Sequence, residues 1–170
     1  MIISGRPRFS GTAGFSLIEV LVVLVIISIL ISFATLTFDS EQEKLADEAN
    51  RLSALMKIAS EEAIMNSREQ RVIFTAEGYL FEKLVDGEWR GFEDGLFRPR
   101  KLPEDFSLDV TLGNKAITLG AGDDQAGKRA AVLFLSSGEV TPFELFIRGV
   151  TGIEIAISNR SGVIEVASGR

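Results

Sequence analysis

The 170-residue chain contains no cysteine and no histidine, and only four prolines, one tryptophan and one tyrosine. Without cysteine there is no disulfide framework, thiol nucleophile or zinc cluster, and the redox compartment is not written in the composition. Without histidine the commonest general base and metal ligand is missing, which removes most catalytic triads and catalytic zinc sites. Positive charge is also scarce. Eighteen Lys and Arg face 24 Asp and Glu, net −6 at pH 7, which opposes nucleic-acid binding through phosphate neutralisation. What the chain does have is one long hydrophobic run. Val20 to Phe38 carries no charge, and the mean hydropathy of +0.23 reflects that segment, since everything after Asp39 reads as an ordinary soluble sequence. A composition of 46% hydrophobic and 25% charged residues fits one compact domain with something attached.

Residues 1–14 hold Arg6, Arg8 and no acid, and read as a processing leader. The run from Val20 to Phe38 would make a helix of about 28 Å, close to the ~30 Å hydrocarbon core of a bilayer. Residues 15–38 are therefore expected to form a transmembrane helix. Basic residues precede it and Asp39, Glu41 and Glu43 follow it, so the short N-terminus is expected in the cytoplasm and the bulk of the chain across the membrane. An ordinary secretory signal is the alternative, with Ser32-Phe33-Ala34 as its cleavage site. Against it stand the length of the run and the acid at its head, Glu19.

A carboxylate within a membrane helix costs roughly 3 kcal/mol at the centre and less near an end, so Glu19 asks for a proton or a cation. One explanation is local: Ser16-Leu17-Ile18-Glu19 fits a capping box, with Phe15 and Val20 placed as a hydrophobic staple. The other begins from cleavage between Gly14 and Phe15. That cut would remove both arginines and create a protonated α-amine, of reference pKa ~7.7 to 8.0, four residues before the acid. In a bundle of such helices the amine of one subunit can neutralise Glu19 of its neighbour, so that assembly relieves the cost.

Gly14-Phe15-Ser16-Leu17-Ile18-Glu19-Val20 and the apolar stretch after it resemble the class III signal of type IV prepilins and of the pseudopilins of type II secretion. The resemblance implies cleavage by a membrane prepilin peptidase after Gly14, N-methylation of Phe15, and a role for Glu19 in subunit assembly.

Beyond the membrane, residues 39–68 are expected to continue the helix. Leu45, Ala49, Leu52, Met56, Ala59 and Ala63 recur at steps of four and three, an apolar stripe suited to packing on the chain's own domain, and Asn66-Ser67 marks its end. Residues 69–170 read as a β-rich periplasmic domain, with the helix first and seven or eight strands after it, in two antiparallel sheets with the helix on one, an α+β arrangement that the resemblance implies is pilin-like. Phe106, Leu108, Val110 and Leu112 alternate with Ser107, Asp109 and Thr111, and Ile153, Ile155 and Ile157 with Glu154, Ala156 and Ser158. Val85-Asp86-Gly87-Glu88 is a hairpin signal. Ala131 to Leu135 is apolar on both faces and is expected centrally in a sheet. Gly120 to Gly127 is expected to be a flexible loop.

Leu96 to Pro103 and, more strongly, Phe134-Leu135-Ser136-Ser137-Gly138-Glu139-Val140-Thr141-Pro142-Phe143-Glu144-Leu145 are similar to the H-type minor pseudopilins of type II secretion. The second segment reads as a strand, a turn at Ser136 to Gly138, and a returning strand with Pro142 near its start. This resemblance implies a structural subunit near the tip of a periplasmic pseudopilus, anchored in the inner membrane of a Gram-negative cell. Its partners would be the other minor pseudopilins, the major pseudopilin and the prepilin peptidase, with no nucleic acid, and its work the export of folded proteins across the outer membrane.

Other candidate sites are weaker. Asp123 and Asp124 lack the spaced ligands of a calcium loop. Arg98-Pro99-Arg100-Lys101 has no aromatic-interleaved groove or nucleic-acid motif beside it and is expected to be a solvated turn. Ser136-Ser137-Gly138 has no base. Trp89 and Phe92 suit the core or a subunit contact, the core being favoured. No catalytic residue, metal or cofactor is expected. The alternatives in function are a minor pilin of a type IV pilus, priming assembly or taking up DNA, and a membrane-anchored periplasmic enzyme. Loss of Arg6 and Arg8 would take the net charge from −6 to −8, which disfavours the DNA-binding version.

Overall fold

The computed structural model describes residues 15–93, 95–120, 129–159 and 162–168, with the backbone alone for 33–40 and 168. Helix α1 (Leu17–Met65) opens the fold. Ser16 caps it: its carbonyl accepts the N–H of Glu19 at 3.0 Å and of Val20 at 3.3 Å, and its Oγ accepts the Glu19 N–H at 3.2 Å. The other end closes at Ser67, where the left-handed φ of 48° turns the chain. There the Ser67 N–H donates to Ile64 O and the Arg68 N–H to Ala63 O, satisfying carbonyls that the helix leaves open. The stop expected at Asn66-Ser67 is where the helix ends.

The chain divides into one unit up to Phe38 and a second from Asp39. In the first, every described side chain from Phe15 to Ser32 is exposed. In the second, the predicted stripe Leu45, Ala49, Leu52, Met56, Ala59 and Ala63 is entirely buried, each residue at 0% exposure.

The described strands are β1 (Gln70–Thr75), β2 (Gly78–Val85), β3 (Glu88–Gly91), β4 (Arg100–Lys101), β5 (Phe106–Leu112), β6 (Lys115–Ile117), β7 (Ala130–Phe134), β8 (Phe143–Gly149), β9 (Glu154–Asn159) and β10 (Ile164–Ser168). They form two antiparallel sheets. The first runs β3-β2-β1-β7 with β4 also on β2, and the second runs β10-β9-β8-β5-β6. Two strands beyond the expected number are β4 and β6, of two and three residues, too short to carry a period. Asp86 and Gly87, both with positive φ, make the two-residue turn between β2 and β3 that the sequence signals, with Val85 opposite Glu88. Phe106, Leu108 and Val110 on β5, and Ile155 and Ile157 on β9, point inward as their alternation requires.

One core joins the three layers. It gathers the helix stripe with Val72, Phe74, Phe81, Val132 and Phe134 of the first sheet and Leu145, Ile147, Ile155 and Ile157 of the second. At roughly 1.5–3 kcal/mol for each large side chain removed from water, this burial holds the second unit together. Gly78 makes a close approach possible: a Cβ there would collide with the carbonyl oxygen of Arg100, so β4 lies against β2 only because the position is glycine.

One expectation about the sheets is corrected, and the strand, turn and returning strand around Ser136 to Gly138 are found with Pro142 just before the returning strand. β7 is apolar on both faces but occupies the end of its described sheet and not the middle. Its outer side is covered in part by the chain itself: Thr141 Oγ1 accepts the Leu133 N–H at 3.1 Å, and the Thr141 N–H donates to Leu133 O at 3.0 Å. The returning strand after Ser136 to Gly138 pairs with β7 only through a bridge between Phe134 and Val140. Past Pro142 it crosses to the second sheet as β8, between β5 and β9.

Candidate functional site

The residues singled out at the helix start lie side by side. Phe15 is 81% exposed and precedes the cap, Glu19 is the acid of the first turn, and Phe15, Leu17, Val20, Leu21 and Leu24 border one shallow apolar depression. Phe15 and Val20 are thus placed as the staple geometry requires. Gly14, the other half of the expected cleavage site, lies outside the described residues.

The capping box forms by one half. Ser16 Oγ takes the Glu19 N–H, whereas the Glu19 carboxylate makes no hydrogen bond or ion pair among the described residues. The acid is therefore not consumed by its own helix. A helix N-terminus favours a negative charge, and the exposed carboxylate is otherwise open to a donor from outside the described residues. Further along, Ser28 Oγ donates to Leu24 O at 2.7 Å and Ser32 Oγ to Ser28 O at 2.9 Å, so both hydroxyls are satisfied by the backbone one turn back. Among the described residues no helical segment is by itself long and apolar enough to cross a membrane. The side chains described in the first unit end at Ser32, and the uncharged sequence continues to Phe38.

Elsewhere the candidates disperse. Asp123 and Asp124, and most of the loop from Gly120 to Gly127, lie outside the described residues, and no three acids converge as a metal site among those described. Arg100 and Lys101 form β4, against the expectation of a solvated turn, while Arg98 and Pro99 stay exposed. Ser136 to Gly138 is a turn. Phe92 packs partly buried on the core, but Trp89 is not a core residue: it lies half-buried on the sheet surface beneath the Arg71 guanidinium, 4.1 Å from the ring centroid.

Two buried acids of α1 escaped the sequence reading. Glu41 is 8% exposed, packs against the Cα of Gly149 and accepts the Thr151 N–H at 3.2 Å, tying the helix to the β8–β9 turn. Glu48, also 8% exposed, accepts from Tyr79 Oη at 2.7 Å and from Arg51 at 2.9 Å. Burial, and then the bond and charge of Glu48, push the Tyr79 phenol well above its ordinary pKa. Partners 31 and 110 positions apart leave no local pattern in the sequence.

A capped helix whose second part packs on two antiparallel sheets is the architecture of pseudopilins. Two solved structures of the minor pseudopilin EpsH from the type 2 secretion system of Vibrio cholerae share it. One is 24% identical with a TM-score of 0.61, covering 75% of this chain and 96% of that one. The other is 21% identical with a TM-score of 0.59, covering 74% and 97%. Residues 10–35 match the prokaryotic N-terminal methylation motif and residues 48–168 match the type II transport protein GspH family. Type II secretion system protein H of Pseudomonas aeruginosa is 33% identical over 158 residues, covering 88% of this chain and 91% of that protein.

The chain belongs to the type II transport protein GspH family. It is homologous to type II secretion system protein H, a minor pseudopilin, and the type IV pilus alternative has no better support.

Proposed function

We propose that the chain is cut by a prepilin peptidase between Gly14 and Phe15, methylated on the new amine of Phe15, and held in the inner membrane by residues 15–38 with its β-rich domain in the periplasm. From there it enters a pseudopilus near the tip, beside the other minor pseudopilins and the major one, and works in protein export through contacts and not turnover. Glu19 is the assembly residue: its carboxylate meets the N-terminal amine of a neighbouring subunit at the same depth. The observation that carries this reading is that Ser16 Oγ takes the Glu19 N–H while the Glu19 carboxylate has no hydrogen-bond or ion-pair partner among the described residues. The matching methylation motif over residues 10–35 supports the processing steps. The test is the intact mass and first residue of the protein purified from its native membrane. A chain starting at Phe15 with one extra methyl group supports the proposal, and a chain starting near Thr35, or one keeping its first fourteen residues, overturns it.

A further inference from the structure

The strand edges of this domain are not equally protected. The outer side of β7 is occupied at Leu133 by Thr141, and β3, β4 and β6 are four, two and three residues long. Short or blocked edges are the usual means of refusing another strand. β10 has neither device. It is five residues, Ile164 to Ser168, without proline, and among the described strands it pairs with β9 alone.

The ladder fixes which groups β10 offers. The Gly149 N–H donates to Ile153 O, so in the β8–β9 register the odd-numbered residues of β9 bond to β8, and Glu154, Ala156 and Ser158 are left to bond to β10. Their opposites on β10 are Ala167 and Glu165. The backbone N–H and C=O of Ile164, Val166 and Ser168 therefore point to the open side. The side chains agree: Ile164 is buried at 4%, but Val166, which faces the same side of the sheet and lies opposite the buried Ile157, is 37% exposed. A strand added beyond β10 would cover it. On the outward face Glu165 is exposed and makes no ion pair among the described residues.

We infer that β10 is a strand-addition site for an extended segment of another pseudopilin, with an apolar, β-branched residue facing inward beside Val166 and a lysine or arginine facing outward beside Glu165. Charge selects this occupant over a second copy of the chain, whose own β10 would bring another Glu165 to a molecule already net negative. The inference rests on the pseudopilin reading and names the contact through which it would act.

The test uses the full chain co-expressed in membranes with the other pseudopilins of its secretion system. Val166→Pro removes an N–H that the fold does not use, whereas Ala167→Pro removes one that bonds to β9. The expected result is that Val166→Pro keeps the wild-type Tm but lowers recovery of the co-assembled complex by about tenfold, while Ala167→Pro lowers Tm. Amide exchange at Ile164, Val166 and Ser168 should be fast in the isolated chain and about tenfold slower or more in the complex. The inference is overturned if Val166→Pro assembles as wild type, if these amides are already protected in the isolated chain, or if protection arises with self-association into a dimer. Failure of the wild-type chain to associate with any pseudopilin would instead overturn the functional reading itself.

Discussion

The phenol of Tyr79 on β2 donates a 2.7 Å hydrogen bond to Oε1 of Glu48 on α1, whose other oxygen holds Arg51. The bond spans 31 positions of sequence and joins the helix to the first sheet where both partners are buried. Replacing Tyr79 by phenylalanine leaves one oxygen of a buried carboxylate without its donor, at a cost of about 1–3 kcal/mol. Equilibrium unfolding of the detergent-solubilised chain should show that loss, and Glu48→Gln should lose less, because a neutral amide needs less compensation.

The same pair sets a limit at high pH. The folded state holds the Tyr79 proton well above its ordinary pKa of 10.0. Below about pH 10 both the folded and the unfolded chain keep that proton and the contribution is complete. As the pH rises further the unfolded chain releases it first, so stability falls. Unfolding midpoints measured between about pH 9 and 11 should drop more steeply for the wild type than for Tyr79→Phe.

Glu41 and Gly149 are matched in shape, since a Cβ on Gly149 would strike the Glu41 carboxylate. Gly149→Ala should therefore expel Glu41 from its place on the β8–β9 turn, break its bond to the Thr151 N–H and destabilise the fold by about 1–3 kcal/mol. In the double variant with Glu41→Ala the second substitution should cost much less than it does alone. Strict additivity in that cycle would mean that the two positions do not act on each other.

Gly87 has a φ of 83° and open space around it, whereas Gly91 has equal space and an ordinary strand conformation. Alanine at Gly87 should cost about 1–2 kcal/mol through the backbone alone. At Gly91 it should be neutral or slightly stabilising. Thermal melts of the two variants check the difference.

At the helix start, Glu19→Ala should leave cleavage and membrane insertion intact and weaken incorporation into the fibre. Ser16→Ala should remove about 1 kcal/mol of cap stabilisation while leaving incorporation near normal. Comparing the fraction of each variant cross-linked to the major pseudopilin with its total in the membrane separates the two roles.

What could be read in advance was what repeats locally. The stripe from Leu45 to Ala63, the alternation on β5 and β9 and the Asp86-Gly87 turn each announce themselves within a few residues, and each is found where expected. β7 misled because two apolar faces look alike whether a strand is flanked by two neighbours or by one neighbour and a threonine. Trp89 misled for a related reason: its ring is covered by Arg71 from an adjoining strand pair and not by the core. Glu41 entered only as one of three acids after the apolar run, because the glycine that receives it lies over a hundred positions away.

The backbone bonds of Ser28 and Ser32 bear on how such helices would slide past one another. With its hydroxyl turned back on Leu24, Ser28 leaves the surface from Val20 to Ile31 a smooth shaft with no polar notch, and Glu19 the lone tooth at its end. If Glu19 pairs with a neighbour's terminal amine as proposed, such helices can rotate about their axes with no polar contact to break, while a lengthwise slip separates that pair.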